Sequence, residues 1–424
     1  MSLHLTAAAT EPDLLFLPWE IPLEEWPADT LVALPRGISR HIVRFVRSGT
    51  DVYAVKETIA PIAQREYDLL GDLGKRDVPC VSPVGIVTGR TTPTGEELPA
   101  AIITRHLQFS LPYRALFSTT LRPDTANRLV DALAVLLVRL HLAGFYWGDC
   151  SLSNTLFRRD AGSFAAYLVD AETGEVHDRL SNGQRAHDLM IAETNVGGEL
   201  LDVEAAGRLH PSIDPLKISA SVAARYGRLW DEITTPVSIE YGERHELDAR
   251  MRRLNDLGFD VAELSIVSEA DGSRINVTPK VVDVGHHSRR LLRLTGLDAE
   301  ENQARRLLND LDAFRAASDL RHDDEELAAH RWVNEVFEPV TGLVPRSLRG
   351  KLEPAQMFHE VLEHRWFMGE RLKHDIPIGE AAEDYVTTVL VEKPDELAVL
   401  GQRLGTPSTT YGLRFDAVDE DDDL

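Results

Sequence analysis

The feature that most constrains this chain is a leucine stripe that runs into a Gly-Asp loop. Leu129, Leu133, Leu136, Leu137 and Leu140 recur at helical spacing and fall on one face. The helix they define ends near Gly144, a residue suited to a helix stop. The chain then reads Phe145-Tyr146-Trp147-Gly148-Asp149 and reaches Asn154 five residues after Asp149. Two short apolar runs follow, Thr155–Phe157 and Tyr167–Val169, joined by a polar, Gly-containing loop, and the second ends at Asp170. In an antiparallel hairpin the start of the first strand lies beside the end of the second. Asn154 and Asp170 are therefore expected to be neighbours although 16 residues apart. An amide oxygen beside a carboxylate is a hard-oxygen site suited to Mg2+. Asp149 faces the same point. Each of these residues alone is a type that turns favour; their order and context give them weight.

Upstream, Thr30–Leu34, His41–Arg47 and Val52–Glu57 are strand-like and separated by Pro35-Arg36-Gly37 and Ser48-Gly49-Thr50-Asp51, the pattern of an antiparallel meander. Lys56 stands at the end of the third strand. A helix is expected from about 61 to 73, with Pro61 in its first turn. Ile62, Glu66, Leu69, Leu70 and Leu73 share one face of it. Glu66 is thus a carboxylate in an apolar stripe, where an unpaired charge is costly. Lys56 is the nearest partner; the other reading puts Glu66 at the stripe's edge, in water. Strands near Ser82–Val87 and Ala100–Thr104 complete the region. Strands first, then helices with a small hairpin, indicate an α+β protein with two lobes.

Lys56, Glu66, Asp149, Asn154 and Asp170 in this order resemble the site of compact kinase-like phosphotransferases of the RIO and aminoglycoside phosphotransferase types. The nearest resemblance is to the Kdo/lipopolysaccharide kinase family, over roughly residues 30–210. The resemblance implies a two-lobed protein-kinase-like fold that uses ATP and Mg2+. By it, Lys56 contacts the nucleotide phosphates and pairs with Glu66, and Asp149 is the catalytic base or orients the acceptor hydroxyl. Asn154 and Asp170 hold Mg2+, and Thr104, Arg105, His106 and Leu107 form the hinge that receives adenine. Trp147 stands where the family usually has His, so a loop-supporting hydrogen bond is expected to be lost. Asp170 is followed by Ala171-Glu172; Glu172 is read as solvated, or as an additional metal ligand. In place of a glycine-rich loop the chain offers Gly37, Ser39 and Arg40, whose backbone amides are candidates to cradle phosphate. The second half resembles an uncharacterised conserved bacterial domain found after such kinase-like domains.

A chain of 424 residues suggests two or three domains. The expected division is an N-terminal arm over 1–29, an N-lobe over 30–107, a C-lobe over 108–210, an α+β domain over 211–392 and a turn-rich, acidic tail over 393–424. In the fourth segment, strands at 236–241, 259–267 and 274–279 and a helix at 243–257 precede helices near 299–318, 323–338, 354–373 and 378–391. With 45 Lys and Arg against 69 Asp and Glu, net charge −24, the surface repels phosphate backbones, so no nucleic-acid partner is expected. The longest apolar stretch carries Asp131, Arg139 and His141 and reads as a buried helix, not a membrane span. Two cysteines and no secretory pattern point to the cytoplasm. His286–Arg290 is a basic island, read as a solvated helix start or as an anion site. His359 and His364 are five apart and so on different helix faces, unlike a zinc motif, with Glu360 and His364 read as an exposed pair. Asp188 has two roles open to it, bonding the loop or capping a helix. The expected function is phosphoryl transfer to an unidentified small-molecule, glycan or protein hydroxyl. The alternative is a nucleotide-binding pseudokinase serving as an interaction or regulatory module.

Overall fold

The N-terminal segment builds a five-stranded antiparallel sheet from β1 (His4–Ala7), β2 (Val43–Ser48), β3 (Asp51–Thr58), β4 (Pro83–Thr88) and β5 (Ala100–Arg105), in spatial order β1-β4-β5-β3-β2. The coordinates are a computed structural model that describes residues 3–7, 12–32, 41–49, 51–117, 123–235, 237–240, 249, 251–252, 254, 259–268, 274–318, 325–393 and 396. Helix α1 (Ala60–Lys75) follows β3, with proline in its first turn. Side chains alternate across the strands. Ala100 and Ile102 of β5 pack with Ala63, Leu70 and Leu73 of α1. Ala101 and Ile103 face the other way and meet Leu14, Trp19, Leu23 and Trp26 of the N-terminal arm. The arm is pinned by Arg90, which is 1% exposed. Its guanidinium bonds Glu57 at 2.7 Å and the carbonyls of Ile21 (2.7 Å), Pro99 (2.9 Å) and Trp19 (3.0 Å). The arm also contributes β1, which the sequence reading did not contain. A Cβ at Gly85 would lie 2.6 Å from Thr6 O, so glycine there lets β1 approach β4.

The second lobe contains β6 (Leu111–Pro112), α2 (Tyr113–Leu116), α3 (Pro123–Leu142), β7 (Phe145–Tyr146), β8 (Thr155–Asp160), β9 (Ser163–Leu168), β10 (Glu175–Val176), α4 (Asn182–Ala205) and α5 (Pro215–Thr234). All five leucines of the stripe are buried on α3. β8 and β9 pair antiparallel from Thr155↔Leu168 to Asp160↔Ser163, as the hairpin reading requires, and β6 flanks β8. Ser181 and Gln184 form a capping box that starts α4. α5 lies beyond residue 210, yet its Val222, Tyr226 and Leu229 share the core of α3 and α4.

The remaining chain is mainly helical. β11 (Val237–Glu240), β12 (Phe259–Ser268) and β13 (Arg274–Val284) form a sheet in the order β11-β13-β12. Of the helix expected at 243–257, residues 249, 251, 252 and 254 are described and helical; the rest lies outside the described residues. There follow α6 (His286–Thr295), α7 (Glu301–Ala317), α8 (Glu325–Trp332), a π-turn at Val333–Phe337, α9 (Glu338–Gly342), α10 (Pro354–Leu372) and α11 (Ile378–Thr388). They enclose a second core around Leu307, Trp332, Phe358 and Tyr385. The expected Glu360–His364 pair does not form. Tyr385 donates to Glu360 at 2.7 Å, and His364 bonds Asp384 at 2.6 Å. Residues 397–424, with the acidic tail, lie outside the described residues. Among the described residues, no helix is long and apolar enough to cross a membrane.

Candidate active site

Lys56 pairs with Ile102 across β3 and β5, so its side chain leaves the sheet on the α1 face. There Ala63, Glu66, Leu70 and Leu73 form the buried stripe of α1. Lys56 Nζ lies 2.8 Å from Glu66 Oε2, 2.9 Å from Asp170 Oδ2 and 3.3 Å from Glu172 Oε2. The contact with Glu66 is the shortest of the three and the most buried. Burial alone would pull the Lys56 ammonium down, but the charges of Glu66 and Asp170 outweigh it and hold it above its ordinary value. Glu66 is pushed up to about 7 by burial; Lys56 opposes the rise, and Asp170 and Glu172 add to it. One cation cannot neutralise three carboxylates, and the surplus falls on the most buried of them.

Glu172 is half-buried, against the expectation of a solvated side chain. Besides Lys56 it contacts His41 Nε2 at 3.1 Å. Arg65 of α1 donates to Gly174 O at 2.7 Å, tying the helix to the same segment. Oxygens of Glu66, Asp170 and Glu172 lie within 4.8 Å of one another, a hard-oxygen set that suits a divalent cation.

The loop after α3 is held from beneath. Gly144 has φ +77°, and a Cβ there would lie 2.0 Å from His177 O, so no side chain fits. Buried Asp188, on α4, accepts from Trp147 N and Gly148 N, each at 2.8 Å. It also accepts from His141 Nε2 at 3.0 Å, and the other ring nitrogen of His141 lies 2.8 Å from the Tyr226 hydroxyl. Of the two roles open to Asp188, the structure therefore shows the loop bond. The hydrogen bond expected to be lost at Trp147 is present. Its indole Nε1 donates to Asp170 O at 2.9 Å and joins the loop to the end of the hairpin.

Asp149 is gripped from two sides. Asn154 Nδ2 donates to Asp149 O at 3.0 Å and Oδ2 at 3.1 Å, and Asn195 Nδ2 donates to Oδ1 at 3.2 Å. Val169 N donates to Asn154 O at 3.0 Å, so Asn154 and Asp170 flank the root of the hairpin. Glu199 accepts from Leu152 N (2.7 Å) and Ser153 N (3.0 Å). From sequence, His141 reads only as part of a buried helix, and Asn195 and Glu199 carry no assignment. The signal for the last two was their spacing: Asp188, Asn195 and Glu199 are seven and four apart, on one helical face.

Between the lobes, Thr104 pairs with Ala54, Arg105 N donates to Ser82 O at 2.9 Å and His106 N donates to Val52 O at 2.8 Å. Burial pulls His106 down to about 4, which keeps its ring neutral at ordinary pH. Leu107 O accepts from Ser110 Oγ at 2.6 Å. Gly37, Ser39 and Arg40 lie outside the described residues. At the basic island, Glu301 accepts from His287 N (2.8 Å) and Ser288 N (3.1 Å), so the anion at the start of α6 is the protein's own.

Two family models match the chain. Residues 44–194 match the lipopolysaccharide kinase (Kdo/WaaP) family and residues 228–390 match a domain of unknown function, DUF4032. No curated protein matches the chain. A solved structure described as WaaP in complex with acyl carrier protein is similar at 17% identity and a TM-score of 0.35, covering 61% of this chain and 99% of that one. The chain thus joins a kinase-like domain, similar to the lipopolysaccharide kinase (Kdo/WaaP) family, to a mainly helical domain of unknown function.

Proposed function

We propose that the chain is an ATP- and Mg2+-dependent phosphotransferase acting on a hydroxyl group of a small molecule, glycan or protein in the cytoplasm. The observation that carries this reading is the meeting of Lys56 on β3, Glu66 on α1 and Asp170 after β9, with Val169, next to Asp170, bonded to Asn154 of the Asp149–Asn154 pair. In this reading Glu66 holds Lys56, and Lys56 binds the nucleotide phosphates. Asn154 and Asp170, with Glu172, supply oxygens to Mg2+, which when bound offsets the phosphate charge. Thr104–Leu107 receives adenine, and the amides at Gly37, Ser39 and Arg40 cover the phosphates. Asp149, its oxygens oriented by Asn154 and Asn195, accepts the proton of the attacking hydroxyl while the γ-phosphoryl group passes to it and ADP leaves.

Calorimetry with a non-hydrolysable ATP analogue is expected to show Mg2+-dependent binding, and Asp149→Asn is expected to lower ATP turnover about 10²–10⁴-fold with little loss of that binding. Absence of Mg2+-dependent binding overturns the reading. A nucleotide-binding module without turnover is the second reading. It is favoured by Glu172, whose carboxylate already occupies Lys56. Nucleotide binding with no ATP turnover by the parent chain would decide for it.

A further inference from the structure

The β8–β9 hairpin has different neighbours at its two ends. Its root carries Asn154 and Asp170. Its tip is held by the C-terminal domain. Asp160, 3% exposed, accepts from Gln303 N at 2.8 Å and from Asn302 Nδ2 at 2.9 Å. Its carboxyl therefore sits on the first turn of α7, where burial and the Glu300 charge push it up to about 7 and the Gln303 and Asn302 hydrogen bonds offset part of that rise. Ala161 has φ +48°, a conformation that residues with a side chain rarely adopt, and its N–H donates to Gln356 Oε1 at 3.0 Å. Arg158 pairs with Glu300 at 2.9 Å and with Glu353, and Tyr167 on the neighbouring strand donates to Glu300 at 2.7 Å.

Because Asp160, Glu300, Gln303 and Gln356 are buried, water cannot replace these bonds one at a time. The contact is either made or lost. The hairpin is also fastened elsewhere. Leu168 exchanges backbone hydrogen bonds with Pro79 and Val81 of the N-lobe connection, and Asp170 O accepts the Trp147 indole. One six-residue strand, about 17–20 Å long, thus links the grip of the C-terminal domain to Asn154.

We infer that the C-terminal domain is a positioning element of the candidate site: by holding Asp160 and Ala161 it fixes the β8–β9 hairpin, and so couples its own docking to the spacing of Asn154 and Asp170. The inference rests on the reading of those two residues as cation ligands.

The test titrates a non-hydrolysable ATP analogue into the 424-residue chain, at rising Mg2+ and in EDTA. Asp160→Ala and Gln356→Ala are expected to raise the half-saturating Mg2+ about fivefold, the scale on which substitutions remote from a ligand change coupling, with affinity in EDTA unchanged. Asp160→Asn keeps an oxygen for Gln303 N and is expected to behave as the parent. An unchanged Mg2+ dependence overturns the inference, as does an equal loss of affinity with and without Mg2+, the mark of mere destabilisation. Should the alanine variants fail to fold, the unmodified chain decides. Coupling is reciprocal, so saturating Mg2+ and nucleotide are expected to slow hydrogen exchange at the Ala161 and Gln303 amides at least about fivefold. Unchanged exchange overturns the coupling. A parent chain without Mg2+-dependent binding overturns the site assignment itself, and the inference with it.

Discussion

Glu66 is 2% exposed and shares Lys56 with two further carboxylates. Burial, reinforced by Asp170 and Glu172, lifts its carboxyl from an ordinary 4.5 to about 7. A carboxyl raised in the folded state contributes stability that is complete below pH 4.5 and is lost as pH rises through about 7. Glu66→Gln removes that dependence. Urea unfolding is therefore expected to show the parent losing on the order of 2 kcal/mol relative to Glu66→Gln between about pH 5 and pH 8. Parallel curves, or a parent that gains stability with pH, would refute the assignment. That Glu66 needs a cation was legible, because a carboxylate in an apolar stripe has few other fates. That the cation would be oversubscribed was not. Glu172 reaches Lys56 across 116 residues of chain, and nothing local in Asp170-Ala171-Glu172 announces it.

At the scale of elements, α4 is the underside of the loop. Asp188 holds its start, Asn195 its carboxylate and Glu199 its end. Burial also pushes the Glu199 carboxyl up, and hydrogen bonds from the Ser153 side chain and from the Leu152 and Ser153 amides offset only part of that rise. Glu199→Ala leaves the Leu152 and Ser153 amides without that acceptor. Hydrogen bonds to a charged group contribute about 1.5–3 kcal/mol, so exchange at these two amides is expected to quicken at least about tenfold while the middle of α3 is unaffected. Equal acceleration at both places would show general loosening instead. The helix–loop–hairpin order was legible because α3 repeats at 3.6 residues and the hairpin at two. The clamp was not: its members are separated from their partners by 40 to 47 residues, and their one local trace is a shared helical face. β1 escaped for another reason: four residues are too few to show a period, and their docking depends on the absent side chain of Gly85.

For the whole molecule, the two largest hydrophobic cores among the described residues are joined by a polar seam. Arg158 meets Glu300 and Glu353, Arg159 meets Glu396 at 2.6 Å, and Asp160 caps α7. Such groups are costly to bury and more costly to leave alone. Breaking one partner out of a buried pair costs about 3–5 kcal/mol, while a domain as a whole holds about 5–15 kcal/mol. Separating the cores while both stay folded would strand several such groups at once. The two cores are therefore expected to unfold as one unit, although a 424-residue chain with two family matches would suggest independent domains. Trp147 lies in the first core and Trp332 in the second. In protein labelled with 5-fluorotryptophan, their fluorine resonances are expected to lose native intensity at the same urea concentration. Charge screening supplies the control. Salt weakens exposed pairs far more than buried ones, so the coincidence is expected to persist in 0.5 M NaCl if the buried seam carries the coupling. Two midpoints at low salt would show that the seam is too weak to join the cores, and midpoints that part only in salt would move the coupling to exposed charges.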